Sequence, residues 1–161
     1  MISNIVSIFV MAILPITASV PEQGLAFYLV KGVSENKEAN VSGLDNLQVE
    51  KTPLLTQSDI ISYSVSNQSM ILTEGALTKL KGVSIGSSFV VCVNGKPIYA
   101  GKIWSPLRSA SCPEIVIMVP PGDNTQVSLL AGYPTHSYFI GIDQRSNKAI
   151  LEALEASNKL K

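Results

Sequence analysis

The sequence predicts a single α+β domain in which two helices pack on one face of a mainly antiparallel sheet. Several short apolar segments have the length and residue types of β-strands, and two further segments have apolar residues at helical spacing. The chain has 161 residues, 46% hydrophobic and 15% charged, which is enough for one buried core. Because each helix carries one apolar stripe, both helices are expected to cover the same sheet face.

Residues 1–19 are predicted to be a signal peptide. Residues 5–14 form an uncharged apolar run, typical of a signal-peptide core and too short to span a bilayer. Cleavage is expected after Ser19, or after Ala18. The predicted domain spans residues 20–161 and is expected to be periplasmic or secreted, without a stable membrane span. Because no Lys or Arg precedes the run, an uncleaved anchor or a buried first strand is the alternative.

The first half of the domain contains three predicted strands and a loop. Residues 25–31 are rich in aromatic and branched side chains between two glycines, as in a strand. Residues 33–51 are polar and aperiodic, typical of a long loop, and residues 53–59 favour a turn or a single helical turn. Alternation then predicts strands at residues 61–65 and 69–72, joined by a turn.

A short helix is predicted between Thr73 and Gly82. The Thr73 hydroxyl can accept a free amide of the first turn, and Gly82 can end the helix. A β-hairpin follows, with strands at residues 89–93 and 97–104. Asn94-Gly95 between them supplies the positive φ angles of a two-residue turn.

The last part of the chain is predicted to form three strands and a terminal helix. Residues 114–119, 126–131 and 137–142 are strand-like, and a Pro-Pro-Gly cluster follows the first of them. Ser146 is a plausible helix N-cap, and apolar residues continue at helical spacing up to Leu160.

Cys92 and Cys112 are the two cysteines of the chain. In an oxidising compartment such a pair predicts one disulfide, with two free buried thiols as the alternative. Their spacing does not fit a Cys-x-x-Cys redox motif. A zinc site is not expected, since His136 is the sole histidine, and nothing indicates another metal or a cofactor.

An ordered set of motifs resembles a known family. The segments PLLT at 53–56, LTEGA at 72–76 and FVVCVNGK at 89–96 follow in the order found in the periplasmic head subdomain of SecD, a subunit of the SecDF preprotein translocation accessory complex. The resemblance covers residues 53–107 and implies a ferredoxin-like α+β head that contacts emerging polypeptide. No segment after Leu14 is long and apolar enough for the transmembrane helices of SecD, so it implies a free-standing exported domain.

One sequence motif suggests an enzyme. Residues 82–86, Gly-Val-Ser-Ile-Gly, match the G-x-S-x-G nucleophile elbow, which makes a small hydrolase using Ser84 and His136 an alternative. The predicted order, helix before the motif and strand after it, is the reverse of that elbow. No paired acid and base emerges elsewhere, so we expect no enzymatic activity.

A binding surface is predicted at Trp104, Pro106 and Tyr133, because a partly exposed aromatic at a strand end often anchors an interface. Core packing of Trp104 is the alternative. The 12 basic and 12 acidic side chains cancel, so nucleic acid is not an expected partner. The sequence therefore predicts a non-enzymatic module that binds protein or peptide in the cell envelope, with a structural or inhibitor protein as a further alternative. It does not indicate an oligomeric state.

Overall fold

The computed structural model describes residues 23–32 and 41–161. Within these ranges the chain forms eight strands and two α-helices: β1 Leu25–Leu29, β2 Leu55–Thr56, β3 Ile60–Ser64, β4 Ser69–Leu72, α1 Glu74–Lys81, β5 Ser88–Val93, β6 Lys96–Trp104, β7 Cys112–Met118, β8 Gln126–Tyr133 and α2 Lys148–Ala156. Three 3-10 turns lie at Val41–Asn46, Gln57–Asp59 and His136–Tyr138. The predicted signal peptide lies outside the described residues.

The eight strands form one sheet in the order β2-β1-β5-β6-β7-β8-β4-β3. Neighbouring strands are antiparallel, except that β6 and β7 are parallel. The ferredoxin-like fold predicted from the sequence, a mainly antiparallel sheet with two helices packed on one face, is therefore wrong. The chain instead forms a large mixed sheet to which two short helices are added.

The sheet curls because its two outermost strands are neighbours in the chain. Only Gln57–Asp59 separates β2 from β3, so Thr56 and Ile60 are at most about 15 Å apart. In a flat sheet, eight strands would hold the outermost pair about 33 Å apart. The sheet must therefore bend into a curled half-barrel.

The concave face of the half-barrel carries the main core. Phe89 packs between Phe27 and Tyr99, with ring centroids 6.0 and 6.4 Å away. Both helices bury their apolar stripes in the same core: Ala76, Leu77 and Leu80 from α1, and Ile150 and Leu154 from α2. Since a fully buried Leu or Ile stabilises the fold by about 1.5–3 kcal/mol, these contacts rather than intrinsic propensity hold two such short helices in place.

The predictions for the first helix and the hairpin are confirmed. The Thr73 side chain accepts a hydrogen bond from the Ala76 amide at 3.2 Å, and Gly82 is the C-cap. Asn94 and Gly95 have φ angles of 51° and 77°, as a two-residue hairpin turn requires.

Two predictions near the C-terminus need correction. Residues 137–142 do not form a strand but a 3-10 turn followed by an extended segment. Helix α2 is capped by Asn147 and not by Ser146, because the Asn147 side chain accepts the Ala149 amide at 3.0 Å. The predicted loop at residues 33–51 contains a 3-10 turn, and residues 33–40 are not among those described.

Candidate functional site

Strands β6 and β7 diverge at Gly101 and leave a fork in the sheet. Strand β6 pairs with β5 along nearly its whole length, from Lys96 to Lys102. Its parallel pairing with β7 begins only at Gly101 and continues to Trp104. In the described part of the chain, residues 96–100 therefore have a partner strand on one side only.

Local sequence explains why the strands diverge here. Cys92 pairs with Pro97 while Val91 pairs with Tyr99, so Ile98 is an extra residue that bulges β6. On the other side of the fork, Pro113 lies where β7 would continue alongside β6. Because proline has no amide hydrogen, it cannot donate to a strand ladder, and pairing stops.

A groove of about 280 Å³ occupies the fork. We call it the fork groove. Its apolar walls are formed by Ile98, Ala100, Ile115, Phe139, Ile140 and Ile142, and its polar groups come from Tyr99, Glu114 and Gln144. An apolar lining with a few polar groups is the usual character of a binding site.

Residues 139–144 form the wall of the fork groove opposite β6, and we call them the wall segment. The Ile140 amide donates to the carbonyl oxygen of Pro113 at 2.9 Å, which attaches the segment to β7. Phe139 packs against the main core, whereas Ile140 and Ile142 are 78% and 79% exposed. The wall segment thus presents two large aliphatic side chains to solvent beside an unpaired strand edge.

The far end of the wall segment is anchored by Arg145. Its guanidinium donates to the Leu129 carbonyl oxygen and to the Asp143 carboxylate, both at 2.6 Å. The hydrogen bond from Arg145 keeps the pKa of Asp143 below its usual value although burial opposes this. The Tyr63 hydroxyl donates to the Gln68 side chain at 2.6 Å and lies 3.3 Å from the Arg145 carbonyl oxygen. These bonds hold the segment to the concave side of the sheet.

The polar groups of the fork groove differ in how they are paired. The Glu114 carboxylate lies 4.0 Å from the Lys102 ammonium, and both side chains are largely buried. The Gln144 side-chain oxygen accepts a hydrogen bond from Asn147 at 2.8 Å. Tyr99 is only 4% exposed. Burial raises the pKa of Tyr99 well above its usual value, so the phenol stays neutral.

The three residues of the predicted binding surface lie close together, and Trp104 is buried. The Trp104 and Tyr133 rings lie 6.2 Å apart, and the Tyr133 hydroxyl donates to the Pro106 carbonyl oxygen at 3.4 Å. Trp104 is only 4% exposed, and the Arg108 guanidinium lies over its ring at 4.8 Å. Trp104 is therefore a packed residue of the convex face, as in the alternative that the sequence left open.

Cys92 and Cys112 are free, buried thiols in the described structure. They belong to different apolar clusters on strands β5 and β7, with β6 between them. Burial raises the pKa of Cys92 to about 11 and also raises the pKa of Cys112. The predicted disulfide is not formed here, and the arrangement matches the alternative of two buried thiols.

Ser84 and His136 do not form a catalytic pair in this structure. Ser84 is exposed in the loop from α1 to β5, and His136 is exposed in the turn after β8. No hydrogen bond joins the two side chains, and the His136 ring instead contacts Phe139 at 5.8 Å. Across the described ranges, no group of three or more His, Cys, Asp or Glu residues is placed to hold a metal ion.

Sequence reasoning missed the fork groove. Two signals were present: Pro113 in a segment otherwise suited to a strand, and alternating Ile140 and Ile142 within predicted strand 137–142. Neither signal shows that the two segments meet at Tyr99.

None of the helices described has the length and apolar character needed to cross a membrane. Comparison with known proteins gives no match: no protein-family model, no curated protein and no solved structure is significantly similar to this chain.

Proposed function

We propose that this protein is an exported, non-enzymatic domain that binds an extended polypeptide segment in the fork groove. The observation that supports the proposal is the edge of β6 at residues 96–100, which has a partner on one side only and faces an apolar groove. A strand edge of this kind can accept an added peptide strand.

Strand addition suits both walls of the groove. Backbone groups on the free side of β6 can bond an incoming strand, while the apolar walls receive its side chains. Ile98 and Ala100 on β6 and Ile140 and Ile142 on the wall segment all line the groove. A bound segment would therefore contact apolar side chains from β6 and from the wall segment.

The exposed isoleucines favour an apolar partner. Burying an exposed Ile side chain fully is worth about 1.5–3 kcal/mol, before the costs of association. Two such side chains contribute about 3–6 kcal/mol, so the expected dissociation constant for one segment lies roughly between tens of micromolar and millimolar. Weak, sequence-tolerant binding is suited to a domain that contacts unfolded chains.

The test is an NMR titration of the ¹⁵N-labelled domain with a capped, aliphatic seven-residue peptide that carries a lysine at each end for solubility. We expect amide shifts at Ala100, Ile115 and the wall segment. A matched peptide with N-methyl groups on alternate amides keeps the side chains but cannot form the backbone hydrogen bonds of a strand pair. Its dissociation constant, measured from the same amide shifts, should be at least tenfold larger. Absence of shifts, or shifts confined to α2, would contradict the proposal.

The resemblance to the SecD head remains a prediction. The ferredoxin-like fold that it implies is not the fold of this chain, so peptide binding is proposed from the fork groove and not from the resemblance. Export likewise remains a prediction from the apolar run at residues 5–14.

A further inference from the structure

The first strand of the sheet starts close to the open end of the fork groove. The Gly24 amide donates to the Asn94 side-chain oxygen at 2.8 Å, and the Gly24 carbonyl oxygen accepts the Asn94 amide at 2.9 Å. Asn94 belongs to the hairpin turn that leads into β6, and the unpaired edge of β6 starts at Lys96. The chain therefore enters the sheet at the end where the fork is open.

The apolar run at residues 5–14 can reach the fork groove. Strands β1, β5 and β6 are successive neighbours in the sheet. A strand added to the free edge of β6 would therefore lie three strand spacings, about 14 Å, from β1. Residues 15–23 connect the run to Gly24 and can span up to about 30 Å. This linker is long enough for the run to lie along β6.

The direction of the chain favours antiparallel pairing with β6. Strands β1 and β6 each pair antiparallel with β5, so they run in the same direction. The shortest path to Gly24 takes the run from the vertex at Gly101 to the open end at Lys96, opposite to β6. Antiparallel pairing is the more stable arrangement. Pro15 follows the run directly and cannot donate to a ladder, so an added strand would end there.

The composition of the run matches the lining of the fork groove. Residues 5–14 carry no charge, and all of them except Ser7 are apolar. Because side chains alternate along a strand, either register places apolar side chains beside Ile98 and Ala100 and beside the isoleucines of the wall segment. No charged group has to leave water when the run enters the groove.

Building on the proposed function, we propose that residues 5–14 occupy the fork groove of the uncleaved chain as a strand added to β6. The groove then accepts another polypeptide only after this run has been removed. A segment on a short linker has an effective concentration in the millimolar range. This is at or above the dissociation constant expected for a separate peptide, so the tethered run fills the groove first. Removal of the predicted signal peptide opens the binding site.

The test compares full-length chains produced without export, so that residues 1–19 are retained. In one variant, Ile8→Asp and Phe9→Asp together place a charge on each face of the run, which excludes it from an apolar groove in either register. Titration of the ¹⁵N-labelled chains with the aliphatic seven-residue peptide gives dissociation constants from the amide shifts of Ala100 and Ile115. The unmodified chain should bind the peptide about tenfold more weakly than this variant.

The matched control carries Thr17→Asp and Ala18→Asp together. It has the same added charge, but in the linker and outside the run, so it should bind the peptide as weakly as the unmodified chain. Photoactivated benzoylphenylalanine at position 9 locates the run directly. We expect crosslinks to β6 or to the wall segment of the same molecule, and excess peptide should suppress them. A mixture of ¹⁴N and ¹⁵N chains separates these by mass from crosslinks between copies.

The outcomes separate the two proposals. Equal peptide affinity of the unmodified chain and of the variant with Asp at positions 8 and 9 overturns this inference and leaves the fork groove as a peptide site. Crosslinks that form outside the groove, or only between copies, also overturn it. If the variant with Asp at positions 8 and 9 does not bind the peptide, the proposed function is overturned and this inference with it.

Discussion

A Cβ atom on Gly101 would lie 2.3 Å from the carbonyl oxygen of Ile115. The same atom would lie 2.6 Å from the Phe89 ring, so neither neighbour leaves room for a side chain. Gly101 is also the residue at which the parallel pairing of β6 with β7 begins. The vertex of the fork is thus set by a position where only glycine fits.

The Gly101→Ala substitution should destabilise the protein by about 1–3 kcal/mol, because the added methyl group overpacks against backbone that cannot move away freely. Urea denaturation measures the change. Gly75→Ala is the control: a Cβ at Gly75 would meet no atom within 4 Å, and Gly75 lies in α1, where alanine is the better helix former. Equal midpoints for the Gly101 variant and the unmodified protein would contradict the close approach.

The Ile142→Ser substitution should weaken binding of the aliphatic peptide about tenfold, since an exposed wall residue is lost. Because Ile142 is largely solvent-exposed, the free energy of unfolding should change by less than about 0.5 kcal/mol. Ile61→Ser removes another exposed isoleucine, on β3 and outside the groove lining, and should leave binding unchanged. A loss of binding shared by both variants would argue against the fork groove as the site.

Asp143 should make stability depend on pH in the acid range. Hydrogen bonding from Arg145 lowers its pKa below the usual 3.8. A lowered folded-state pKa gives stability that is present above the usual value and is lost as the pH falls through the lowered one. Asp143→Asn should therefore be less stable than the unmodified protein at pH 7, with a difference that shrinks below about pH 4. Urea midpoints across this range test it, and a pH-independent difference would refute the assignment.

Cys92 and Cys112 should both react slowly with thiol reagents in the native protein. Burial and the raised pKa of Cys92, about 11, leave little thiolate at neutral pH, so a thiol reagent should label the native protein slowly. In guanidinium without reductant, two thiols should react quickly. An unreduced protein lighter by two hydrogen atoms, with no reactive thiol in denaturant, would instead establish the disulfide that the sequence predicted.

Several local features could be predicted from the sequence because short-range physics decides them. Thr73 caps α1 through a hydroxyl that reaches an amide three residues away, and Asn94-Gly95 forms the hairpin turn because both residues tolerate positive φ. Such features depend on neighbours in the chain, which the sequence displays directly.

Other features misled the prediction for a physical reason. Residues 137–142 alternate as in a strand, but a strand also needs a free edge within hydrogen-bonding distance. At the fork, this segment makes one backbone hydrogen bond to β7, from the Ile140 amide to the Pro113 carbonyl oxygen. Strand β2 has two residues, too few for any periodicity to show. The sheet predicted from the sequence was ferredoxin-like, whereas the observed sheet is curled and has eight strands.

Most of the strands and the first helix follow from local patterns in the sequence. The strand order, the burial of Trp104 and the groove lined by Tyr99, Ile140 and Ile142 arise only in the folded chain. These depend on which distant segments meet, and that choice is made by the packing of the whole core and not by any local pattern.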